Sequence, residues 1–260
     1  LNDEFREKGA VAVALNSDSL NVTNTYNFGW IPVGRTMTVT KSVDNHVYEI
    51  DNIPVVDIYK QYLGSELSEN LLSIGNGFPL IFTHEGHHIA RTFLSIDESD
   101  KSMYMAGNIR TGDEVKLGIG DADLILSSAP KTYNKLKKNP IESIFVYSCS
   151  GRRRFMPKSI NIETEILKTL APVAGFYTYG EFFHTPNKCL FLNHSQTILA
   201  LSESTVIKEL KDAELIICDS QHHETMHVFS KIVEHTSKDL DDMKNNIDNL
   251  VKERTIELER

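Results

Sequence analysis

The longest apolar runs of this chain are strand-sized, and none approaches the roughly 20 residues that would span a bilayer. Gly9 to Leu15 (GAVAVAL) is one such run and Ser143 to Tyr147 is another. Segments this short bury their apolar surface by joining sheets, so the sequence points to a strand-rich globular protein with no transmembrane helix. Hydrophobic residues make up 40% of the chain and charged residues 24%, which is enough apolar mass for one large core or two smaller ones.

Turn signals and changes of period divide the text further. Leu20 to Tyr26 alternates like a half-buried strand, and Thr36 to Val43 and His46 to Ile50 read as a hairpin about Asp44-Asn45. Ile53, Val56, Tyr59 and Leu63 then share one helical face, with Asn52 as N-cap and Gly64 as the stop. Pro79 to Thr83, His87 to Ile96 and Met103 to Ala106 predict an antiparallel meander, and Asp121 to Lys138 reads as an acidic helix. Ser143 to Tyr147 is an apolar strand ending at Ser148-Cys149-Ser150-Gly151. A helix over Ile160–Leu170, a strand over Val173–Thr178 and a final strand pair, Cys189–Leu192 with Thr197–Leu201, complete the globular part.

These signals predict an α+β (mixed α/β) fold in which sheets of mixed, largely antiparallel strands pack with helices. The switch to helical period places boundaries between segments 1–51, 52–205 and 206–260. Leu1 is not a start methionine, and helix-like acidic text runs straight into a strand, so an N-terminal truncation is expected. From Gln221 to Arg260 there is neither glycine nor proline over 40 residues, and Leu240, Met243, Ile247 and Leu250 follow 3-4-3 spacing. That pattern predicts a long C-terminal helix forming a parallel coiled-coil homodimer; the bland reading is a solvated amphipathic helix.

Charge and cysteine usage narrow the function classes. A net charge of -9 disfavours nucleic acid and anionic membrane as partners, because phosphate binding needs clustered Lys and Arg. The three cysteines, Cys149, Cys189 and Cys218, form no Cys-x-x-Cys pair, which fits a reducing, cytoplasmic compartment. Two stretches match the zinc-protease pattern, His84-Glu85-Gly86-His87-His88 and His223-Glu224-Thr225-Met226-His227. That chemistry needs two histidines one turn apart on a helix and a third ligand, whereas Gly86 interrupts the first match among strands and a straight stem gives the second no third ligand. No nucleophile elbow, phosphate loop or dinucleotide fingerprint is present, and Cys149 at the end of an apolar strand reads first as packing. The chain is therefore expected not to be an enzyme.

The most unusual text is Gly175-Phe176-Tyr177-Thr178-Tyr179-Gly180-Glu181-Phe182-Phe183-His184. With Ser148-Cys149-Ser150-Gly151-Arg152 and the segment bearing Glu163 and Glu165, it resembles the C-terminal half of the FIST family, sensory domains of signal-transduction proteins. Trp30-Ile31-Pro32-Val33-Gly34, Thr38-Val39-Thr40 and the Asp51-Asn52-Ile53-Pro54 turn are similar to the end of the FIST N-terminal half. The resemblance implies cytosolic sensing of a small, amino-acid-like ligand, with no catalytic residues to carry over. The text from Val251 to Glu259 is similar to linkers that precede histidine-kinase or diguanylate-cyclase modules.

Chemistry adds a candidate ligand-binding set to that resemblance: Cys149, Arg152, Glu165, Tyr177, Tyr179, Gly180 and Glu181. An inward Arg152 would grip a carboxylate, Glu181 or Glu165 an ammonium, and Tyr177 and Tyr179 would form an aromatic wall, with Gly180 allowing close backbone approach. The competing reading pairs Arg152 with Glu181 as a buried ion bridge. Three other functions stay open: a haem-based sensor, although no Cys-x-x-Cys-His is present and no cofactor is assigned; a protein-interaction scaffold; and a zinc hydrolase.

Overall fold

A computed structural model describes residues 9–68, 71–84, 86–214 and 242–256, with the single positions 233, 236, 238 and 240. In chain order the elements are β1 (Asn21–Asn27), β2 (Trp30–Val43), β3 (His46–Ile50), β4 (Ile53–Pro54), α1 (Val55–Ser68) and α2 (Leu71–Ile74). There follow β5 (Leu80–His84), β6 (His87–Arg91), β7 (Phe93–Asp97), β8 (Ser102–Met105), β9 (Glu114–Gly120) and α3 (Ala122–Leu136). Then come β10 (Ser143–Cys149), α4 (Ser150–Phe155), α5 (Ile162–Glu165), β11 (Val173–Thr178), β12 (Glu181–Thr185), β13 (Lys188–Leu192) and β14 (Gln196–Ser202). A last helix, α6, covers 242–256. No helix among the described residues is long and apolar enough to cross a membrane.

The fold is mixed α/β, with antiparallel pairing dominant. An eight-stranded sheet runs β6-β5-β9-β2-β3-β8-β7 with β4 added to β3, and a four-stranded sheet runs β1-β14-β10-β11. Within the smaller sheet only β10 and β11 are parallel. β12 and β13 form a separate ribbon. Strands N-terminal of residue 52 are woven into both sheets: β1 pairs with β14, and β2 pairs with β9. The main core packs α1 on the large sheet through Val55, Ile58, Tyr59, Met37, Val39, Ile50 and Met103. A second core lies under the small sheet, where Tyr133 and Leu136 of α3 meet Ile144, Val146 and Ile198.

Local chemistry explains most boundaries. Asp44 turns the β2–β3 hairpin at φ 52°, a conformation aspartate tolerates, so no glycine is needed. α3 starts where Asp121 accepts hydrogen bonds from the amides of Asp123 and Leu124 at 2.9 and 3.1 Å, a cap worth about 1 kcal/mol. Gly64, at φ 79°, breaks α1 where a stop is expected.

Several expectations are corrected. Asn52 is no N-cap: with Asp51 it occupies the left-handed region (φ 62° and 52°), forming the tight turn between β3 and β4, and the helix starts at Val55. Gly9–Leu15 forms no strand and lies exposed, because no described strand offers it a ladder; Val13 is 82% accessible. The helix expected over Ile160–Leu170 is two single turns, α5 and a 3₁₀ turn at Leu167–Thr169. β13 and β14 are not partners, since His194 at φ 58° redirects the chain from the ribbon to the small sheet. β9 has no strand signal in the sequence because Gly118 and Gly120 mask its alternation; a Cβ on Gly118 would come within 2.7 Å of Ile81 Cδ1.

Candidate functional site

Where β10 ends and β14 begins, the interior is polar. Asn193, His194, Ser195 and Gln196 are at most 1% exposed, and Ser148, Arg152, Glu163 and Glu181 are buried beside them. A parallel strand followed at once by a helix turns the chain sharply at Cys149, which brings these side chains together without breaking the ladder.

Arg152 is the inward member of the arginine run; Arg153 and Arg154 are exposed. Its Nη2 and Nε donate to the two oxygens of Glu163, and its Nη1 donates to the His194 carbonyl at 2.9 Å. Trp30 covers it, with the ring centroid 5.5 Å from the guanidinium carbon. Arg152 is thus buried in an ion pair, but its partner is Glu163 and not Glu181, and among the described residues it lines neither the groove beside β11 nor the clefts along β5. Burial pushes the Glu163 carboxyl up while Arg152 pulls it back.

Glu181 is held instead by Thr178 Oγ1 at 2.5 Å and by Ser195 Oγ at 2.9 Å. Burial raises its carboxyl to about 7 against the pull of these donors and of the Cys149 thiol. Cys149 is pushed up to about 11, first by burial and then by the Glu181 charge, so its thiol stays protonated and is a poor nucleophile. His194 is held down at about 3 by burial and the Arg152 charge, which keeps the imidazole neutral.

The remaining candidates are scattered. Glu165 points outward and pairs with Lys168 at 2.7 Å, and Tyr179 is 81% exposed. Gly180 provides close approach, though to a side chain: a Cβ there would collide with the Phe191 ring. Tyr177 is half-exposed, carries the Arg153 guanidinium over its ring at 4.9 Å, and borders a groove.

That groove, about 200 Å³, runs along the open edge of the small sheet between β11 and the α5 region. Val146, Ile160, Val173 and Phe176 form its apolar walls, and Thr164 and Lys168 stand at its mouth. Its floor holds Ser148 and Gln196, cross-strand neighbours on β10 and β14. Ser148 Oγ and Gln196 Nε2 are buried and have no hydrogen-bond partner among the described residues, whereas Gln196 Oε1 accepts from Asn27 Nδ2 at 3.4 Å. A buried donor without an acceptor costs about 1–3 kcal/mol, so the pair is set to receive an acceptor from a guest. Gly175 permits this arrangement, since a Cβ there would strike the Val146 carbonyl oxygen and separate β11 from β10.

Sequence reasoning finds Tyr177 on the groove and misses Gln196 and Ser148. A glutamine opening an apolar strand looks like a turn residue, and only its burial reveals it.

The histidine motifs separate. His84 pairs with His87 and Thr83 with His88 across the β5–β6 hairpin, so His84 and His88 lie on opposite faces of the sheet, as the interrupting glycine implies. The match at His223–His227 lies outside the described residues.

No curated protein and no solved structure matches the chain. Two family models do: the FIST N domain over residues 1–53 and the FIST C domain over residues 56–184. The first takes in β1, β2 and β3, and the second takes in α1 through most of β12, including the Cys149–Arg152 strand end and Gly175–Glu181; the chain belongs to the FIST family of signal-transduction sensor domains.

Proposed function

We propose that this chain is a non-catalytic sensory module that takes a small, amino-acid-like ligand in the groove beside β11. The observation that carries the reading is the buried pair of unpartnered groups, Gln196 Nε2 and Ser148 Oγ, at the floor of an apolar-walled recess. A ligand carboxylate or carbonyl would accept from both, an aliphatic or aromatic portion would lie against Val146, Val173 and Phe176, and the Tyr177 hydroxyl would meet an ammonium at the mouth. Arg152, locked to Glu163, positions the strand end behind the groove and does not touch the guest.

The signal would leave through α6. Leu240, Met243, Ile247 and Leu250 present an apolar seam, which supports a coiled-coil homodimer leading to an output module such as a histidine kinase or diguanylate cyclase. A ligand that prefers one arrangement of β11 over another would bias that stem through its differential affinity.

A thermal-shift screen over amino acids, other small carboxylates and haem tests the reading. A saturable rise with an amino acid in the parent, lost in Gln196→Met, is expected. No rise with any of them, or a rise that Gln196→Met leaves unchanged, removes the groove as the sensory site.

A further inference from the structure

Arg91 closes β6 with its side chain 6% exposed, at the floor of a cleft of about 580 Å³ between the β5–β6 hairpin and β13. Its Nε donates to the Asn108 carbonyl at 3.3 Å, and its Nη1 donates to the Ala90 carbonyl and to Asn193 Oδ1, each at 3.0 Å. Every one of these partners is neutral, and no described hydrogen bond uses Nη2. No ion pair among the described residues includes Arg91. Burial accordingly lowers it to about 10, with only the Asp113 charge acting the other way.

The guanidinium is held in place by packing. The Phe82 and Phe191 ring centroids lie 5.6 and 5.3 Å from its central carbon, an arrangement that favours a cation. Gly107 leaves room for it, since a Cβ there would sit 2.7 Å from Arg91 Nε and 2.9 Å from Phe191 Cε1. Gly180 leaves room for the other edge of Phe191, where a Cβ would collide with Cε2. Two glycines and two aromatic rings therefore fix a buried cation that has no ion pair among the described residues and feels Asp113 without direct contact, an arrangement that is costly unless an anion completes it.

We propose that this cleft binds the oxyanion group, carboxylate or phosphate, of a small organic molecule, received by Arg91 and steered by Arg110 and Lys188 on the same lining. Asp113 and Glu114 share that lining, so polyanions are disfavoured. This site is separate from the groove beside β11, and the lining residues of the two do not overlap.

The test titrates the parent chain with acetate and with inorganic phosphate, each against sodium chloride at matched ionic strength, and follows amide and guanidinium NMR signals. Saturable changes with at least one anion are expected in the Arg91 guanidinium signals and in the amides of the cleft lining, at least tenfold weaker in Arg91→Lys and at least threefold weaker in Arg110→Ala. The acetate and phosphate arms distinguish a carboxylate ligand from a phosphorylated one. No saturable change with either anion overturns the proposal, and so does affinity unchanged in both Arg91→Lys and Arg110→Ala. Should Arg91→Lys fail to fold, Arg110→Ala decides alone, because its side chain is on the exposed rim.

Discussion

The Arg152 guanidinium and the Glu163 carboxylate meet inside the protein with both side chains wholly screened from solvent. Removing one partner of such a pair leaves an uncompensated buried charge, which costs about 3–5 kcal/mol, whereas replacing both with apolar groups of similar volume is often close to neutral. Arg152→Met should therefore lower unfolding stability by about that amount, and Arg152→Met/Glu163→Leu should recover most of it. Urea denaturation checks both variants. An Arg152→Met variant as stable as the parent would mean that the arginine is not structural.

Glu181 and His194 make opposite contributions to the pH dependence of stability. The folded protein holds a proton on Glu181 between 4.5 and about 7, where the unfolded chain has released it. That contribution is full below 4.5 and is lost as pH rises through about 7. His194, held at about 3 against 6.5 in the unfolded chain, contributes fully above 6.5 and loses its contribution as pH falls toward 3. Glu181→Gln deletes only the first effect. The stability of the parent relative to this variant should fall as pH rises from 4.5 to 7 and level off above. Thermal melts across that range measure it, and parallel curves would show that Glu181 titrates as an ordinary carboxyl.

Cys149 and Cys189 should differ sharply in reactivity. Cys149 is buried and raised to about 11, whereas Cys189 is exposed on β13. Brief alkylation at pH 8 followed by peptide mapping should find Cys189 modified and Cys149 protected until denaturant is added, with at least a tenfold difference in rate. Prompt modification of Cys149 in the native chain would reopen a nucleophilic role.

The sequence discloses what local chemistry controls and hides what tertiary packing decides. The start of α3 beside Asp121, the Gly64 break and the Asp44 hairpin are set within a few residues, and each is where the text places it, although the capping role of Asp121 itself is not read from the sequence. Glu163 and Glu165 are two residues apart with equal claims on Arg152, and only the turn taken by α5 sends one inward and the other to Lys168. Gly180 announces a close approach without naming Phe191 as the group that approaches. Arg91 does leave a trace, an arginine set directly after the apolar pair Ile89-Ala90, but that its hydrogen-bond partners are neutral depends on residues far along the chain, Asn108 and Asn193. Gly9–Leu15 shows the reverse case: apolar alternation is necessary for a strand, but a partner edge is needed as well.

The C-terminal helix offers the last test. Leu240, Met243, Ile247 and Leu250 are each more than half exposed, an apolar seam at heptad spacing that no described residue of its own chain covers. Burying a side chain of this kind is worth about 1.5–3 kcal/mol, so a paired stem would gain enough from both chains to offset the cost of association at micromolar concentration. Sedimentation equilibrium should then give a mass twice that of the chain, dissociating on dilution because the heptads are few. Ile247→Glu with Leu250→Glu should yield monomer with an unchanged thermal transition for the sheets, since α6 contributes no residue to their cores. A parent chain that stays monomeric at every concentration would instead leave α6 a solvated helix, and the route from the β11 groove to an output module would have to run through some other surface.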